Sequence, residues 1–211
     1  VANKVNDIDV KGAVATLNVT GGTGKDEITL TGAKVKSGTI ALGTTLAKAD
    51  LDSVNFDGIK GAVSGNAADG VVINLGSIDY KIDAGTTYET SVAAGHAVEY
   101  NAGAAAATKK LVTDGFDLTL SGVETVTGTA NADIIIANAA GSTINGGAGN
   151  DTIISGAGAD TIDVGAGADV LVYTATGQTA KTAVVSGTTA LTIANGFDVI
   201  SSMVAGDKID L

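Results

Sequence analysis

The 211 residues suit one elongated domain or two small ones. Asp plus Glu outnumber Lys plus Arg by 23 to 12, and the formal net charge of −11 argues against a nucleic-acid partner and suits a medium rich in divalent cations. Cys is absent and aromatics make up 3%, which excludes disulfides and thiolate metal sites and points to thin layers of Ala and Val rather than a broad core.

Residues 1–60 read as β-rich, with alternation in IDVKGAVATLNV and EITLTGAKV. Val10, Val19 and Ile28 lie nine apart, and Gly21 to Asp26 form a Gly-rich hexapeptide, so 10–29 suits a short worn coil. At Asp26 a plain turn is the default and a metal ligand the alternative, since Thr44 fills the matching place in 39–44. The spacing in 46–60 predicts a short helix, and 70–82 reads as two strands. The small-residue stretch 91–110 reads as a loop or decorating hairpin, with the single His96 on the surface rather than on a metal. Residues 116–127 form a strand leading into the repeats that begin at Gly128, with Leu118 and Leu120 capping the core.

From Gly128 to Val172 the chain repeats at a period of nine in five units, GTANADIII, ANAAGSTIN, GGAGNDTII, SGAGADTID and VGAGADVLV. The third fits G-G-x-G-x-D-x-U-x at every fixed place, U being a large apolar residue. The last three residues of a unit predict a strand with an inward centre, at Ile135, Ile144, Ile153, Ile162 and Leu171. The first six turn the chain, and two units close one coil. Asp133, Asp151 and Asp169 then stack on one edge, at a strand spacing of roughly 4.8 Å. The other edge carries Glu124, Ser142 and Asp160, with Gln178 next in line. Stacked carboxylates beside loop carbonyls suit a hard cation with about 6–8 oxygen ligands, so Ca2+ is expected between Asp133 and Asp151 and between Asp151 and Asp169. Ser142 supplies no charge, and at Asp160 metal and metal-free turn stand even.

Outward residues of one side are apolar (Ile134, Ile136, Thr152, Ile154, Val170, Val172), and those of the other are polar. An exposed apolar patch calls for a cover, either another segment of this chain or a neighbouring molecule. Beyond Tyr173 the residues read as a loop plus strands. The closing stretch 197–211 reads as a terminal cap of different sequence, with apolar places at Val199, Ile200, Met203, Val204, Ile209 and Leu211. No apolar run approaches the ~20 residues of a membrane-spanning helix, so no membrane insertion is expected. The chain opens at Val1 with no visible signal peptide, which suits a fragment.

The stretch GVETVTGTANADIII through GGAGNDTIISGAGADTIDVGAGADVLVYT resembles the RTX (repeats-in-toxin) β-roll of proteins exported by type I secretion. DVISSMVAGDKIDL is similar to the segment that comes after that roll, with Ser202 and Met203 in place of Asp-Phe. The resemblance implies an all-β parallel β-roll or solenoid. Its expected divisions are a β-rich region over 1–117, the calcium-binding roll over 118–173 and a C-terminal cap over 174–211. It further implies calcium ligands at Gly128, Ala130 and Asp133, at Gly146, Gly147, Ala148, Gly149 and Asp151, at Gly165, Gly167 and Asp169, and on the other edge at Gly158 and Asp160.

RTX chains include toxins, proteases, lipases, adhesins and S-layer proteins. The Ala/Thr/Gly/Val-rich composition, with repeats set directly in β-rich sequence, resembles the calcium-dependent S-layer proteins. That implies an extracellular, cell-surface location and self-association into a lattice, with a cell-surface glycan or lipopolysaccharide as a further partner. A binding module or adhesin is the second reading, and the non-catalytic tail of a secreted hydrolase is the third. No H-E-x-x-H or G-x-S-x-G motif occurs, and no catalytic residue is assigned.

Overall fold

β-Branched and small residues spaced for short strands leave little for a helix to use. The computed structural model, which describes residues 6–43, 51–59, 69–82, 90–100, 111, 115–173 and 198–210, contains only strands and one 3₁₀ turn, Asp57–Ile59. The strands are β1 (Asn6–Thr20), β2 (Asp26–Ala41), β3 (Ser53–Asn55), β4 (Gly70–Asn74), β5 (Tyr80–Ile82), β6 (Thr90–Val92), β7 (His96–Tyr100) and β8 (Asp117–Ser121). They continue with β9 (Thr125–Thr127), β10 (Ile134–Ile136), β11 (Thr143–Asn145), β12 (Thr152–Ile154), β13 (Thr161–Asp163), β14 (Val170–Val172), β15 (Val199–Ser201) and β16 (Lys208–Asp210). The protein is all-β and forms the parallel roll that the period of nine predicts.

One 14-stranded sheet runs β15-β13-β11-β9-β3-β2-β8-β7-β4-β10-β12-β14-β16, with β1 laid on β2, and β5 and β6 form a separate ribbon. Its two arms are the two sides of the roll. In the first arm the register aligns Ile8, Ile28, Val54, Val126, Ile144, Ile162 and Ile200. In the second it aligns Leu17, Gly38, Leu118, Ala97, Ile73, Ile135, Ile153, Leu171 and Ile209. Both columns feed one core, in which Ile135, Ile153, Ile162 and Leu171 are completely buried.

The arms join because β2 belongs to both: Glu27–Thr29 pair with β3, and Ser37–Ala41 pair with β8. β1 runs beside β2 along its length and turns at Gly12 (φ +75°), where the register shifts between Lys11 and Ala13. The nine-residue spacing at 10–29 therefore belongs to a bent strand, β1, and then to β2, and no repeat loop separates Val10 from Val19. On the second arm the antiparallel β7 sits between β8 and β4, and buried Leu118 and Leu120 fill the core beneath it.

One expectation needs correcting. Residues 46–60 form no helix over their described part: Ser53–Asn55 are a rung paired between β2 and β9, because the outer neighbours accept a strand there, and only Asp57–Ile59 coil. Residues 198–210 form one further coil on the end of the roll, β15 and β16 pairing in register on β13 and β14. Within it Ile200 and Met203 are buried, whereas Val204 is 56% exposed. Leu211 and residues 174–197 lie outside the described residues. The two strands read in 70–82 are β4 and β5, and β5 pairs with β6 as a hairpin.

The apolar outer side of the roll receives part of its cover from this chain. Val72, Val92, Val98 and Tyr100 form a second buried cluster with Ile134, and Tyr80, Ile136 and Ile154 pack at its margin. His96 is partly buried, with Nδ1 lying 2.7 Å from Asp117 Oδ1 on the neighbouring strand.

Candidate metal centre

Each loop of the roll ends on the residue just before a strand, so strand register decides which of these residues stack. On one edge they are Val71, Asp133, Asp151, Asp169 and Asp207. On the other they are Asp26, Asp52, Glu124, Ser142, Asp160 and Asp198. The place after Asp160 is filled by Asp198, where the next described rung begins at Val199, and Gln178 lies outside the described residues. Asp52, Asp198 and Asp207 escape the sequence reading because long insertions separate them from the nonapeptide run. Register with the flanking strand is the only signal for Asp52, whereas Asp198 and Asp207 also lie nine residues apart, each two before an inward Ile.

The stacked side chains obey one rule. An Oδ1 accepts the backbone N–H of the equivalent residue one rung earlier: Asp133 from Val71 at 2.8 Å, Asp151 from Asp133 at 2.8 Å, Asp169 from Asp151 at 2.9 Å and Asp207 from Asp169 at 2.9 Å. The other edge repeats it, Asp52 accepting from Asp26 at 2.7 Å, Asp160 from Ser142 at 2.7 Å and Asp198 from Asp160 at 2.8 Å. Half of each carboxylate is thus spent on the backbone, which lets aspartates approach at strand spacing before any cation is considered.

The second oxygens differ between rungs. Asp133 Oδ2 accepts the Thr129 N–H at 2.5 Å. Asp151 and Asp169 Oδ2 are buried without a hydrogen-bond partner, in residues 1% exposed. Burial pushes the Asp133 carboxyl up to about 7 and that of Asp151 up to about 8, with the Asp133 and Asp169 charges adding to the latter. Asp169 and Asp160 are raised too, again first by burial. A buried carboxylate oxygen lacking a donor is costly. These oxygens therefore fit a hard cation.

The remaining donors must be backbone oxygens, because among the described residues no three His, Cys, Asp or Glu side chains gather to hold a metal by themselves. The loops supply such oxygens closely stacked. Ala148 and Ala166 form a parallel bridge, Ala148 N–H donates to Thr129 O at 3.2 Å, and Ala166 N–H donates to Gly147 O at 2.9 Å. A Cβ on Gly146 would meet Asp151 Oδ2 at 2.6 Å, and one on Gly128 would collide with Asp133 Oδ2 and Gly146 O. Gly147 adopts φ +102°, and a Cβ there would collide with Thr129 O. Gly147→Ala is therefore expected to cost at least about 1–3 kcal/mol from the left-handed backbone alone and to weaken the calcium response, read as a shifted calcium midpoint by circular dichroism.

The expected site residues divide between the two edges. Gly128, Ala130 and Asp133, Gly146, Gly147, Ala148, Gly149 and Asp151, and Gly165, Gly167 and Asp169 occupy three consecutive turns of one edge. Gly158 and Asp160 lie on the opposite edge, where a Cβ on Gly158 would collide with the Gly141 backbone N. There Ser142 Oγ accepts the Asn138 N–H at 3.0 Å, in the role Asp133 Oδ2 plays toward Thr129. Ser155 Oγ lies 2.8 Å from Asp160 Oδ2 and 2.7 Å from Asp198 Oδ2, although its single proton serves one of them at a time.

Residues 138–171 match the family of RTX calcium-binding nonapeptide repeats, in 4 copies. These rungs are RTX repeats. RTX repeats bind calcium, typify secreted proteins and form a non-catalytic structural module. No curated protein matches the chain. The RTX repeats occupy β11 to β14, and the roll extends past them on both sides, through β9, β10, β3 and β4 and through β15 and β16. The Asp151 and Asp169 carboxylates with the loop oxygens would hold a calcium ion, which would supply positive charge where burial otherwise opposes ionisation. The residues themselves order the turns, exclude water and hold the carboxylates in line.

Proposed function

We propose that the chain is a structural segment of an extracellular surface-layer protein, ordered by calcium and associating with copies of itself. The observation that carries this reading is the pair of buried, partnerless Oδ2 atoms at Asp151 and Asp169, inside a roll whose RTX repeats are continuous with the flanking strands. Without a cation those rungs bury charge, so the fold responds to the medium. At extracellular-module affinities of roughly 10⁻⁴–10⁻³ M, millimolar calcium outside a cell occupies such sites and micromolar cytosolic calcium does not. The aromatic-poor, Cys-free composition suits repetitive structural use.

Chelation is expected to reduce the β signal in circular dichroism and to dissolve higher species on sizing, both returning with calcium. Unchanged spectra and unchanged assembly in chelator would sink the reading.

One observation favours a binding module instead. Residues 76–80 and the turns at Ala139 and Ala157 enclose an apolar groove of about 280 Å³, lined by Tyr80, Ile136 and Ile154 with Ile78, 78% exposed, at its lip. Oligomers formed in calcium with no added ligand favour the structural role, and a strict monomer favours the groove.

A further inference from the structure

The two ends of the described roll match each other, and we propose that a second copy of this chain docks there head to tail, the edge of β1 extending the ladders that end, among the described residues, at β15 and β16. Such docking rests on the self-associating reading above and specifies its surfaces.

Among the described residues β1 pairs only with β2, β15 only with β13 and β16 only with β14. Open strand edges of this kind are templates for another chain. Direction agrees in both arms. Every step from β1 to β15 is parallel, and on the second arm the two antiparallel steps at β7 cancel, so the second half of β1 runs parallel to β16.

Spacing agrees as well. Ile8 and Leu17 are nine residues apart, as are Ile200 and Ile209, and these pairs hold equivalent inward places at opposite ends of the roll. Ile8 is 39% exposed, and a second copy would set Ile200 over it. The facing outward pairs would be Asp7 with Val199, Asp9 with Ser201, Thr16 with Lys208 and Asn18 with Asp210. No like charges meet.

The amides also alternate correctly. Val199 N–H turns back to Asp160 O, as Thr161 N–H does to Ser142 O. By that alternation the Ile200 peptide faces the open edge of β15, and those of Asp7 and Asp9 face the open edge of β1. A contact joining two different surfaces does not close on itself by a two-fold axis, so copies add in line.

The chain has no cysteine, so Asp9→Cys and Ser201→Cys each introduce one thiol. Docked, these positions face at about 4.8 Å, within the Cα separation a disulfide requires. Within one molecule they lie six strand steps apart, about 29 Å. Oxidising the two variants together in calcium is expected to yield a disulfide-linked dimer that neither variant yields alone. A dimer from Asp9→Cys alone would mean head-to-head contact, and no dimer in the mixture would mean the ends do not meet; either overturns the docking.

Circular dichroism of the same samples with and without chelator separates the two readings. A chain indifferent to calcium removes the calcium-assembly reading too, whereas calcium-dependent folding without the mixed dimer removes only the end-to-end contact. Asp9→Pro deletes one amide from the open edge and leaves those that face β2. It is expected to keep the folded spectrum in calcium and lose the higher species on sizing. Should that variant not fold, the thiol pairing still decides.

Discussion

Asp151→Asn is expected to stabilise the protein in chelator and destabilise it in calcium. The amide keeps an oxygen for the Asp133 N–H, which Asp151 accepts at 2.8 Å, and removes a charge from a residue 1% exposed. The carboxyl titrates at about 8 in the fold against 3.8 for the free group, raised first by burial. Below the unfolded value both states hold the proton and the fold loses nothing. As pH rises from there toward 8, the unfolded chain ionises freely while the folded chain must keep the proton or bury a charge, so calcium-free stability falls. Asp133, at about 7, adds to the same slope. A displacement of this size amounts to several kcal/mol, at about 1.4 kcal/mol per unit.

Calcium reverses the slope, because the ion binds the ionised carboxylate and weakens as protons compete. Thermal melts at pH 5 and pH 8, with chelator and with millimolar calcium, should therefore cross. Asp151→Asn should flatten the calcium-free slope and move the calcium midpoint by tenfold or more, about 1.4 kcal/mol. A variant with the calcium midpoint of the parent would exclude Asp151 as a ligand.

Ile153→Ala should cost about 2–5 kcal/mol. Ile153 is completely buried, midway along the second arm between Ile135 and Leu171, and the thin core leaves little around it that can move into the void. Rungs in a solenoid support chiefly their immediate neighbours. The loss should therefore split the roll rather than melt it evenly. Hydrogen exchange should accelerate from β10 to β16 while the paired β1, β2 and β8 keep their protection. Uniform acceleration over all strands would instead mean that the roll opens as one unit.

Much of the fold was legible because nine-residue spacing survives substitution. Ile135, Ile153 and Leu171 keep their interval although the loops between them vary, and the interval alone predicts parallel rungs, two edges and a stack of aspartates. The rest was hidden for particular reasons. Ser53–Asn55 is a rung with no repeat around it, and only pairing between β2 and β9 makes it one. Asp52, Asp198 and Asp207 join the ladders across insertions that no interval bridges. Stacked carboxylates alone suggested that repulsion had to be met by a cation. The backbone amides that take one oxygen of each were invisible without register.

Those amides also give the roll a direction. For the aspartates and Ser142 of these edges the acceptor comes from the next coil along the chain, whereas the Glu124 N–H turns back to Asp52 O. Truncation after Tyr173 would therefore strand the Asp169 and Asp160 amides together, one on each edge, and fraying would start from the cut. Shortening the chain by a single coil moves the weak point inward instead of removing it.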